Sequence, residues 1–233
     1  MRFDVLTLFP ELIVSHMNYS IMKRASDEGI IKVNTINPRD FSEDKKHHRV
    51  DDTPYGGGAG MVLAPQPYVD AYESLEKLSQ SVTLMMTPQG KPFTDELSNE
   101  LAKSEQIIIL CGHYEGFDER IREIIKPVEI SIGDFVMTGG ELPALCIIDS
   151  VSRKIEGTLG KIESAHDDSF ADGLLEYPQY TKPRVYRDIE VPDVLLNGNH
   201  KAIEEYRLSQ KIERTKNKRP DLYEKWVKTH KSS

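Results

Sequence analysis

The sequence is poor in cysteine and has no long hydrophobic run. Its two cysteines, Cys111 and Cys146, match no zinc-site spacing and are too few for a disulfide framework. Both are therefore predicted to be small buried side chains in a reducing compartment. No stretch approaches the roughly 18 apolar residues that cross a membrane, and the first residues do not have the form of a signal peptide. Together these absences predict a cytoplasmic protein without a membrane anchor.

Several common catalytic motifs are also absent. A glycine cluster at Tyr55–Met61 is not followed by Gly-Lys-Ser/Thr, and no GxGxxG opens a helix directly after a strand. Neither a P-loop nor a Rossmann cofactor site is therefore predicted. The chain has no GxSxG and no HExxH, which argues against serine hydrolase and zinc protease chemistry. The adjacent His47 and His48 cannot easily point at one ion, so no metal-ligating residues are predicted.

The charge is acidic overall and unevenly distributed. The net charge is −8 at pH 7, which alone argues against nucleic acid as a partner. Residues 200–233 nevertheless contain ten Lys/Arg and five Asp/Glu, a balance of +5, so residues 1–199 carry −13. A basic end on an acidic body is typical of a protein that binds a polyanion with one part, although a solvated helical face has the same composition.

The first two-thirds of the chain alternates strand and helix patterns. Short apolar runs predict strands at 3–8, 30–36, 82–86, 106–110 and 128–132. Helical patterns begin near Pro10 and after Thr94, and cover 20–28, 65–78, 117–124 and 141–155. The alternation predicts an α/β fold with a mostly parallel sheet covered on both faces; the order of its strands cannot be read from the pattern.

The last third is organised differently. Residues 156–173 are polar, contain three glycines and have no sustained apolar face, which is typical of a flexible linker. Beyond them, 201–212 and 219–231 have amphipathic helical patterns. We therefore divide the chain into an α/β domain at 1–158, a flexible linker at 159–173 and a small all-helical domain at 174–233.

Two loops are the strongest indication of a binding site. The strand at 106–110 leads into Cys111–Gly116, and the strand at 128–132 leads into Gly133–Gly140; both loops are rich in glycine and in small or acidic residues. Ligands in open α/β sheets bind beyond the carboxyl ends of the strands, and glycine lets backbone groups approach them closely. The two loops are therefore predicted to form two sides of one small-molecule site, with Glu115 able to accept hydrogen bonds or to hold Mg²⁺ through water.

Ordered motifs over nearly the whole chain resemble those of the bacterial tRNA (guanine-N1)-methyltransferases, members of the SPOUT class of S-adenosylmethionine enzymes. They include Leu8–Glu11, Pro54–Gly58, Thr87–Gly90, Cys111–Gly116, Ser131–Val136, Gly139–Pro143, Asp149–Arg153, Asp168–Phe170 and Leu195–His200. The chain departs from the family pattern at Thr53, Ala59 and His113, where arginine, proline and arginine respectively are common. These departures affect loop shape and remove no catalytic group.

The resemblance implies a fold and a cofactor site. The family's sheet is threaded through a deep trefoil knot, against the general rule that chains do not thread loops, and S-adenosylmethionine binds there in a bent conformation. The residues that the resemblance assigns to the cofactor are Pro88, Gln89, Gly112, Tyr114, Glu115, Ser131, Ile132, Gly133, Asp134, Phe135, Val136, Met137, Gly139, Gly140 and Pro143. It also implies an obligate homodimer, in which each active site takes the cofactor from one chain and the linker from the other.

The resemblance further implies the reaction. The substrate is tRNA with a guanine at position 37, next to the anticodon, and methylation of N1 requires removal of the N1 proton. By the family match, Asp168 is the general base and Arg153 stabilises the negative charge that develops on O6. The basic residues of 200–233 then bind the phosphates of the anticodon arm. The family depends on Mg²⁺, for which Glu115 marks a candidate neighbourhood.

Two alternatives stay open. A different SPOUT enzyme, acting on a ribose hydroxyl or an rRNA base, would share the glycine loops, but ribose methylation needs no base at a ring N–H and leaves Asp168 without a role. A non-catalytic RNA-binding module would bind RNA through the basic end and consume no S-adenosylmethionine. Stabilisation against heat by the cofactor would argue against such a module.

Overall fold

The computed structural model describes residues 1–159 and 168–230, and the chain divides into two compact units, Met1–Gly160 and Lys161–Ser233. The division falls within the predicted linker, of which 160–167 lies outside the described residues. Elements of the first unit are β1 (Arg2–Leu6), α1 (Pro10–Met17), α2 (Ser20–Asp27), β2 (Lys32–Ile36), β3 (Asp51–Asp52), β4 (Val62–Leu63), α3 (Pro65–Glu73), β5 (Ser81–Pro92), α4 (Asp95–Leu101), β6 (Gln106–Leu110), α5 (Glu119–Ile125), β7 (Val128–Ser131) and α6 (Glu141–Ser152).

A five-stranded sheet forms the centre of the first unit. Its order is β2-β1-β6-β5-β7, and each of its strand pairings is parallel. Parallel neighbours need crossover connections, which the helices between the strands provide. The predicted α/β fold with a mostly parallel sheet is confirmed. β5 is longer than the predicted 82–86. Its pairing with β7 is interrupted after Met86 and resumes at Lys91, so the strand extends to Pro92.

Hydrophobic side chains cover both faces of this sheet. Successive strand residues point to opposite faces, so Ile107 and Ile109 pack in one core while Ile108 and Leu110 pack in the other. Helices α1, α2, α4 and α6 contribute apolar residues to the first core, and α3 and α5 contribute to the second. Because β6 is buried over its full length, the four residues after Gln106 form a continuous apolar run rather than an alternation.

Asp118 begins helix α5 and allows a test of local stability. Its carboxylate accepts a hydrogen bond from the backbone N–H of Arg120 at 2.9 Å and two from the Arg120 guanidinium at 2.8 Å. We expect Asp118→Ala to lower the free energy of unfolding by about 1 kcal/mol, because the first turn loses its side-chain cap. Asp118→Asn keeps a capping oxygen and is the matched control. Urea denaturation of the two variants measures the difference, and equal losses would contradict a capping role.

The same residue predicts a small pH dependence of stability. The hydrogen bonds from the Arg120 side chain hold the pKa of Asp118 below its ordinary value. A carboxyl whose pKa is lowered by folding contributes stability above its unfolded pKa, and loses it as the pH falls through the lowered folded pKa. The stability difference between the wild type and Asp118→Asn is therefore expected to shrink in acid.

The second unit is not all helical, which corrects the prediction for 174–233. Its described elements are a hairpin of β8 (Val185–Tyr186) and β9 (Ile189–Glu190), a 3₁₀ turn at Asp193–Leu195, and the helices α7 (His200–Lys218) and α8 (Pro220–His230). Arg187 and Asp188 have φ of 51° and 62°, as in a type I′ hairpin turn. This turn was not predicted from the sequence, because the dipeptides typical of a type I′ turn, Asn-Gly and Asp-Gly, do not occur there. Among the described helices, none is long and apolar enough to cross a membrane.

Candidate functional site

A cavity of about 510 Å³ opens at the carboxyl ends of β5, β6 and β7. Its walls come mainly from residues 87–89, where β5 leaves its pairing with β7, from 112–117 after β6, and from 131–133 and 135–140 at and beyond the end of β7. The two loops that the sequence predicted to face each other do meet here, and the β5 detour adds a third wall. The sheet order explains the arrangement, because β5 lies between β6 and β7.

Nearly all of the residues predicted to bind the cofactor line this cavity. Those in its wall are Pro88, Gln89, Gly112, Tyr114, Glu115, Ser131, Ile132, Gly133, Phe135, Val136, Met137, Gly139, Gly140 and Pro143. Asp134 is the exception: its side chain is exposed and does not belong to the cavity wall. Their binding role itself stays a prediction.

Other lining residues were not among the residues assigned to the cofactor. His113, Gly116 and Thr138 belong to the two predicted loops, whereas Met86, Thr87, Phe117, Glu119, Arg122 and Ile130 were missed. Arg122 brings a cation to the wall and donates hydrogen bonds to Glu119 at 2.9 Å and to Glu129 at 3.1 Å. The sequence did contain a sign of this placement. Glu119 and Arg122 are three residues apart and therefore share one helix face, and their helix directly follows the loop that carries Glu115.

A buried carboxylate organises the wall between the loops after β6 and β7. Glu141 is 2% exposed. Its Oε1 accepts a hydrogen bond from Oγ1 of Thr7 at 2.6 Å, and its Oε2 lies 2.7 Å from Nε2 of His113. The His113 ring packs on Phe9, with the ring centroids 4.8 Å apart. A buried carboxylate is costly unless it is hydrogen-bonded, so this network holds the end of β1, the loop after β6 and the start of α6 together.

The two loops also contact each other through their backbones. The Gly140 N–H donates to the Gly112 carbonyl at 2.9 Å, and His113 forms an antiparallel bridge with Gly139. A Cβ at Gly140 would lie 2.7 Å from Cα of Cys111. The close passage of these segments therefore requires glycine at 140.

Cys111 lies beneath this contact and is unsuited to act as a nucleophile. Burial raises the pKa of its thiol well above the ordinary value, and the negative charge of Glu141 adds to that rise. The predicted burial of Cys111 is confirmed. The same prediction for Cys146 is wrong, because Cys146 is exposed on α6 while Ile147 and Ile148 take the buried positions.

The glycine cluster at Tyr55–Met61 lies against Glu115. The Glu115 N–H donates to the Met61 carbonyl at 3.0 Å. Gly60 has φ of +90°, and a Cβ there would lie 2.4 Å from Oε1 of Glu115, so the cluster and the carboxylate are in close contact. The paired strands β3 and β4 hold the two ends of the cluster together, which the sequence pattern did not indicate.

The described part of the chain contains no cluster of side chains that could bind a metal ion. There, no three or more His, Cys, Asp or Glu side chains come together in a way that could hold an ion. His48, half of the adjacent histidine pair, has its Nδ1 3.2 Å from the carbonyl of Arg39. Among the described residues, Glu115 therefore has no second and third carboxylate or imidazole beside it with which to form a metal centre.

Arg153 and Asp168, the residues predicted to act on the base, have different positions. Arg153 follows α6 and lines a separate cavity of about 190 Å³ together with His16, Tyr19 and Asp149. Asp168 belongs to the second unit, where its carbonyl accepts a hydrogen bond from the N–H of Ala171 at 3.3 Å. Within the first unit, Arg153 is thus not part of the wall of the larger cavity.

The basic residues of the second unit differ in their exposure to solvent. Exposed side chains on α7 and α8 are Lys201, Lys216, Lys218, Lys225 and Lys228. Lys211 is buried and pairs with Asp172, and the guanidinium of Arg207 lies 4.6 Å from the centre of the Tyr177 ring. Not every basic residue predicted to bind phosphate is therefore presented to solvent; Lys231 lies outside the described residues.

Comparison with known proteins extends the likeness to both units. Residues 1–225 match the family described as tRNA (Guanine-1)-methyltransferase TrmD. The chain is 53% identical over 231 residues to the tRNA (guanine-N(1)-)-methyltransferase of Staphylococcus epidermidis, with 99% of this chain and 94% of that protein covered. It is 54% identical over 229 residues to that of Staphylococcus carnosus, with 98% and 93% covered. The enzyme of Desulforamulus reducens is 52% identical over 225 residues, with 95% and 88% covered.

Proposed function

This chain belongs to the tRNA (guanine-1)-methyltransferase family, and on that premise we propose that it methylates N1 of the guanine at position 37 of tRNA. The observation that carries the proposal is the family match over residues 1–225, which includes the three loops of the larger cavity. The relatives are named for methylation of a tRNA guanine at N1.

We propose S-adenosylmethionine as the methyl donor and the larger cavity as its site. The volume of about 510 Å³ lies within the range of roughly 300–1,000 Å³ that small-molecule sites occupy. The glycine loops offer backbone N–H and C=O groups to polar atoms, and Ile132, Phe135 and Val136 offer apolar surface to a flat ring. The bound sulfonium supplies an electrophilic methyl group with a good leaving group, so the protein's task is orientation and proton removal.

A deep trefoil knot is proposed as part of this site. It is supported by the tightness with which the three loops pass one another. A Cβ at Gly90 would lie 2.3 Å from the backbone nitrogen of Ile130, and one at Gly140 would lie 2.7 Å from Cα of Cys111. A threaded loop would need close passages of this kind, but neighbouring strands and hydrogen-bonded loops also produce them, so the main support for the knot is the family match over residues 1–225.

We further propose that the active form is a homodimer. Support comes from Arg153, which lines another cavity than the proposed cofactor site, and from Asp168, which belongs to the second unit. A second copy that brings its own Asp168 to the cavity would supply the group that one first unit lacks. Exposed apolar side chains on α1, Leu12 and Val14 among them, offer surface for such a contact.

The proposed chemistry assigns one task to each of the two groups. Guanine N1 carries a proton at neutral pH, so its electron pair is not available for attack until the proton leaves. Asp168 takes that proton while N1 bonds to the methyl carbon and the bond from carbon to sulfur breaks. Negative charge that spreads to O6 is stabilised by the guanidinium of Arg153. The step ends with a neutral methylated base, a neutral thioether and a protonated Asp168.

Binding of the tRNA is proposed to rest on the second unit. The exposed lysines of α7 and α8 would contact phosphates, although the whole chain carries −8. A guanine stacked beside the anticodon must leave the stack to reach a cavity of this kind. We propose the cytoplasm as the place of action, because the tRNA substrate is found there.

Mg²⁺ enters no step of this proposal. Mg²⁺ prefers several oxygen ligands in near-octahedral geometry, and across 1–159 and 168–230 no three or more acidic, cysteine or histidine side chains gather to hold an ion. Glu115 remains the one residue that we propose for a water-mediated contact with Mg²⁺. The residues present do not by themselves fit a resident Mg²⁺ site.

Methyl transfer from labelled S-adenosylmethionine to two unmodified tRNA transcripts tests the proposed function. The transcripts differ only at position 37, which is guanine in one and adenine in the other. We expect label on the guanine transcript alone, because only guanine presents a protonated N1 beside an O6 that can take up negative charge.

The other outcomes separate the alternatives. Label on both transcripts would place the methyl group at another nucleotide and favour a different SPOUT enzyme, and nuclease digestion would locate it on base or ribose. Retained RNA binding with no label on either transcript, and no rise in melting temperature with S-adenosylmethionine, would favour a binding module.

A further inference from the structure

The segment that carries Asp168 is anchored within the second unit. We call residues 168–177 the Asp168 loop. Its Leu174 is fully buried, and the N–H of Leu175 donates to Oγ1 of Thr215 on α7 at 2.8 Å. The sequence pattern assigned 168–173 to a flexible linker, yet these residues are hydrogen-bonded into a turn. The position of Asp168 is thereby connected to helix α7.

Hydrogen bonds inside the loop carry that anchor towards Asp168. The N–H of Phe170 donates to the carbonyl of Leu174 at 2.7 Å, and the N–H of Glu176 donates to Oγ of Ser169 at 3.0 Å. Ser169 is the direct neighbour of Asp168. A displacement of the anchored half of the loop is therefore transmitted to the proposed base through two hydrogen bonds.

Lys211 completes the anchor from the helix side. Its Nζ lies 2.5 Å from Oδ2 of Asp172, and its side chain is only 9% exposed. A lysine that is removed from water to this extent needs a charged partner. Arg207, Lys211 and Thr215 follow each other at intervals of four along α7, so they share one helix face, and that face contacts the Asp168 loop.

We propose that Lys211 and Asp172 are positioning residues for the reaction. Their ion pair fixes the Asp168 loop on the same helix that presents Lys216 and Lys218 to solvent. A tRNA held by those exposed lysines would then meet Asp168 in a set orientation. The inference rests on the proposed function, because it assumes that Asp168 is the base. It removes Lys211 from the residues that bind phosphate.

Two lysine variants on the same helix test this role. Lys211→Met is expected to lower the single-turnover rate at saturating tRNA by about tenfold to a hundredfold, because displacement of a reacting group by about 1 Å costs that much. The salt dependence of its tRNA affinity should not change. Lys216→Met is the matched comparison. It should weaken tRNA binding and reduce the slope of log affinity against log salt by about 1, as loss of one phosphate contact does.

Two further variants distinguish positioning from loss of folding. The exchange Lys211→Asp with Asp172→Lys restores opposite charges and is expected to recover much of the rate lost in Lys211→Met. Thr215→Val removes the hydrogen bond to the Leu175 N–H without leaving a charge unpaired. It should lower the saturating rate, with a fall in melting temperature no greater than that of Lys211→Met. Circular dichroism melts accompany each variant.

Two results would overturn the inference. A Lys211→Met protein with the wild-type saturating rate and a reduced salt slope would make Lys211 a phosphate contact, and one unchanged in both would leave the pair without a catalytic role. Failure of the proposed function is visible separately. In that case the wild type labels no guanine transcript, or Asp168→Asn is fully active, whatever Lys211 does.

Discussion

Asp168→Asn is expected to reduce the single-turnover rate of methyl transfer by roughly 10²- to 10⁴-fold, the contribution typical of a general base. The carboxamide has the size of the carboxylate but cannot accept the N1 proton of guanine. Binding of tRNA should not weaken, because the substitution removes a negative charge from a protein that binds a polyanion. A rapid-quench assay with labelled S-adenosylmethionine and saturating tRNA measures the rate, and filter binding measures the affinity.

The control for Asp168→Asn is Asp188→Asn. Asp188 is exposed in the hairpin turn of the same unit, at a positive φ that asparagine tolerates well, and the change in charge is the same. Its rate should equal that of the wild type. Raising the pH should partly restore Asp168→Asn, because guanine N1 then loses its proton to solvent without a base. A variant that is fully active at neutral pH would remove Asp168 from the mechanism.

Local pattern predicted most elements of the first unit because its strands are buried on both faces. The continuous apolar run of β6 was recognised with both ends correct, at Gln106–Leu110. Thr94 was recognised as a cap, and its side chain accepts a hydrogen bond from the N–H of Leu97 at 3.3 Å. Such features depend on a few neighbouring residues, so the chain alone contains enough information to find them.

Features that depend on distant partners could not be found in this way. The second half of β5 pairs with β7 across a register shift at Met86 and Lys91, and residues 87–90 have no strand pattern of their own. The hydrogen bond from Thr7 to Glu141 joins residues 134 positions apart. Nothing near either residue in the sequence indicates its partner, because only the fold brings them together.

The candidate site shows the same division. Both glycine loops were predicted as walls of one cavity, since strand ends in a parallel sheet lie at one edge. Lys211, by contrast, was counted among the phosphate-binding residues, because composition does not distinguish a buried lysine from an exposed one. Its partner Asp172 lies 39 residues earlier. Charge clustering in a sequence therefore overestimates the surface available to a nucleic acid.

Gly140→Ala is expected to weaken S-adenosylmethionine binding by about ten- to a hundredfold. The backbone of Gly140, with φ of −84° and ψ of −6°, suits alanine, so the effect comes from contact and not from torsional strain. The new methyl group would lie 2.7 Å from Cα of Cys111 and 2.8 Å from the backbone nitrogen of Gly112. Overpacking of this kind costs about 1–3 kcal/mol. If the loops part at the cavity wall to relieve it, that energy is lost from cofactor affinity, at about 1.4 kcal/mol for each factor of ten.

Gly29→Ala is the control for Gly140→Ala. It shows how much of the effect comes from replacing any glycine and how much from the contact at Gly140. Gly29 follows α2 with φ of +72°, and no atom of the described residues lies within 4 Å of its Cβ position. Alanine there should lower stability by about 1–2 kcal/mol through the left-handed backbone, while cofactor affinity is retained. Calorimetric titration with S-adenosylmethionine measures the affinity of both variants. Equal affinity losses would assign the effect to destabilisation of the unit, and wild-type affinity in Gly140→Ala would mean that the cofactor does not depend on the passage between residues 111–112 and 139–140. Loss in Gly140→Ala alone would place the cofactor where the two glycine loops meet.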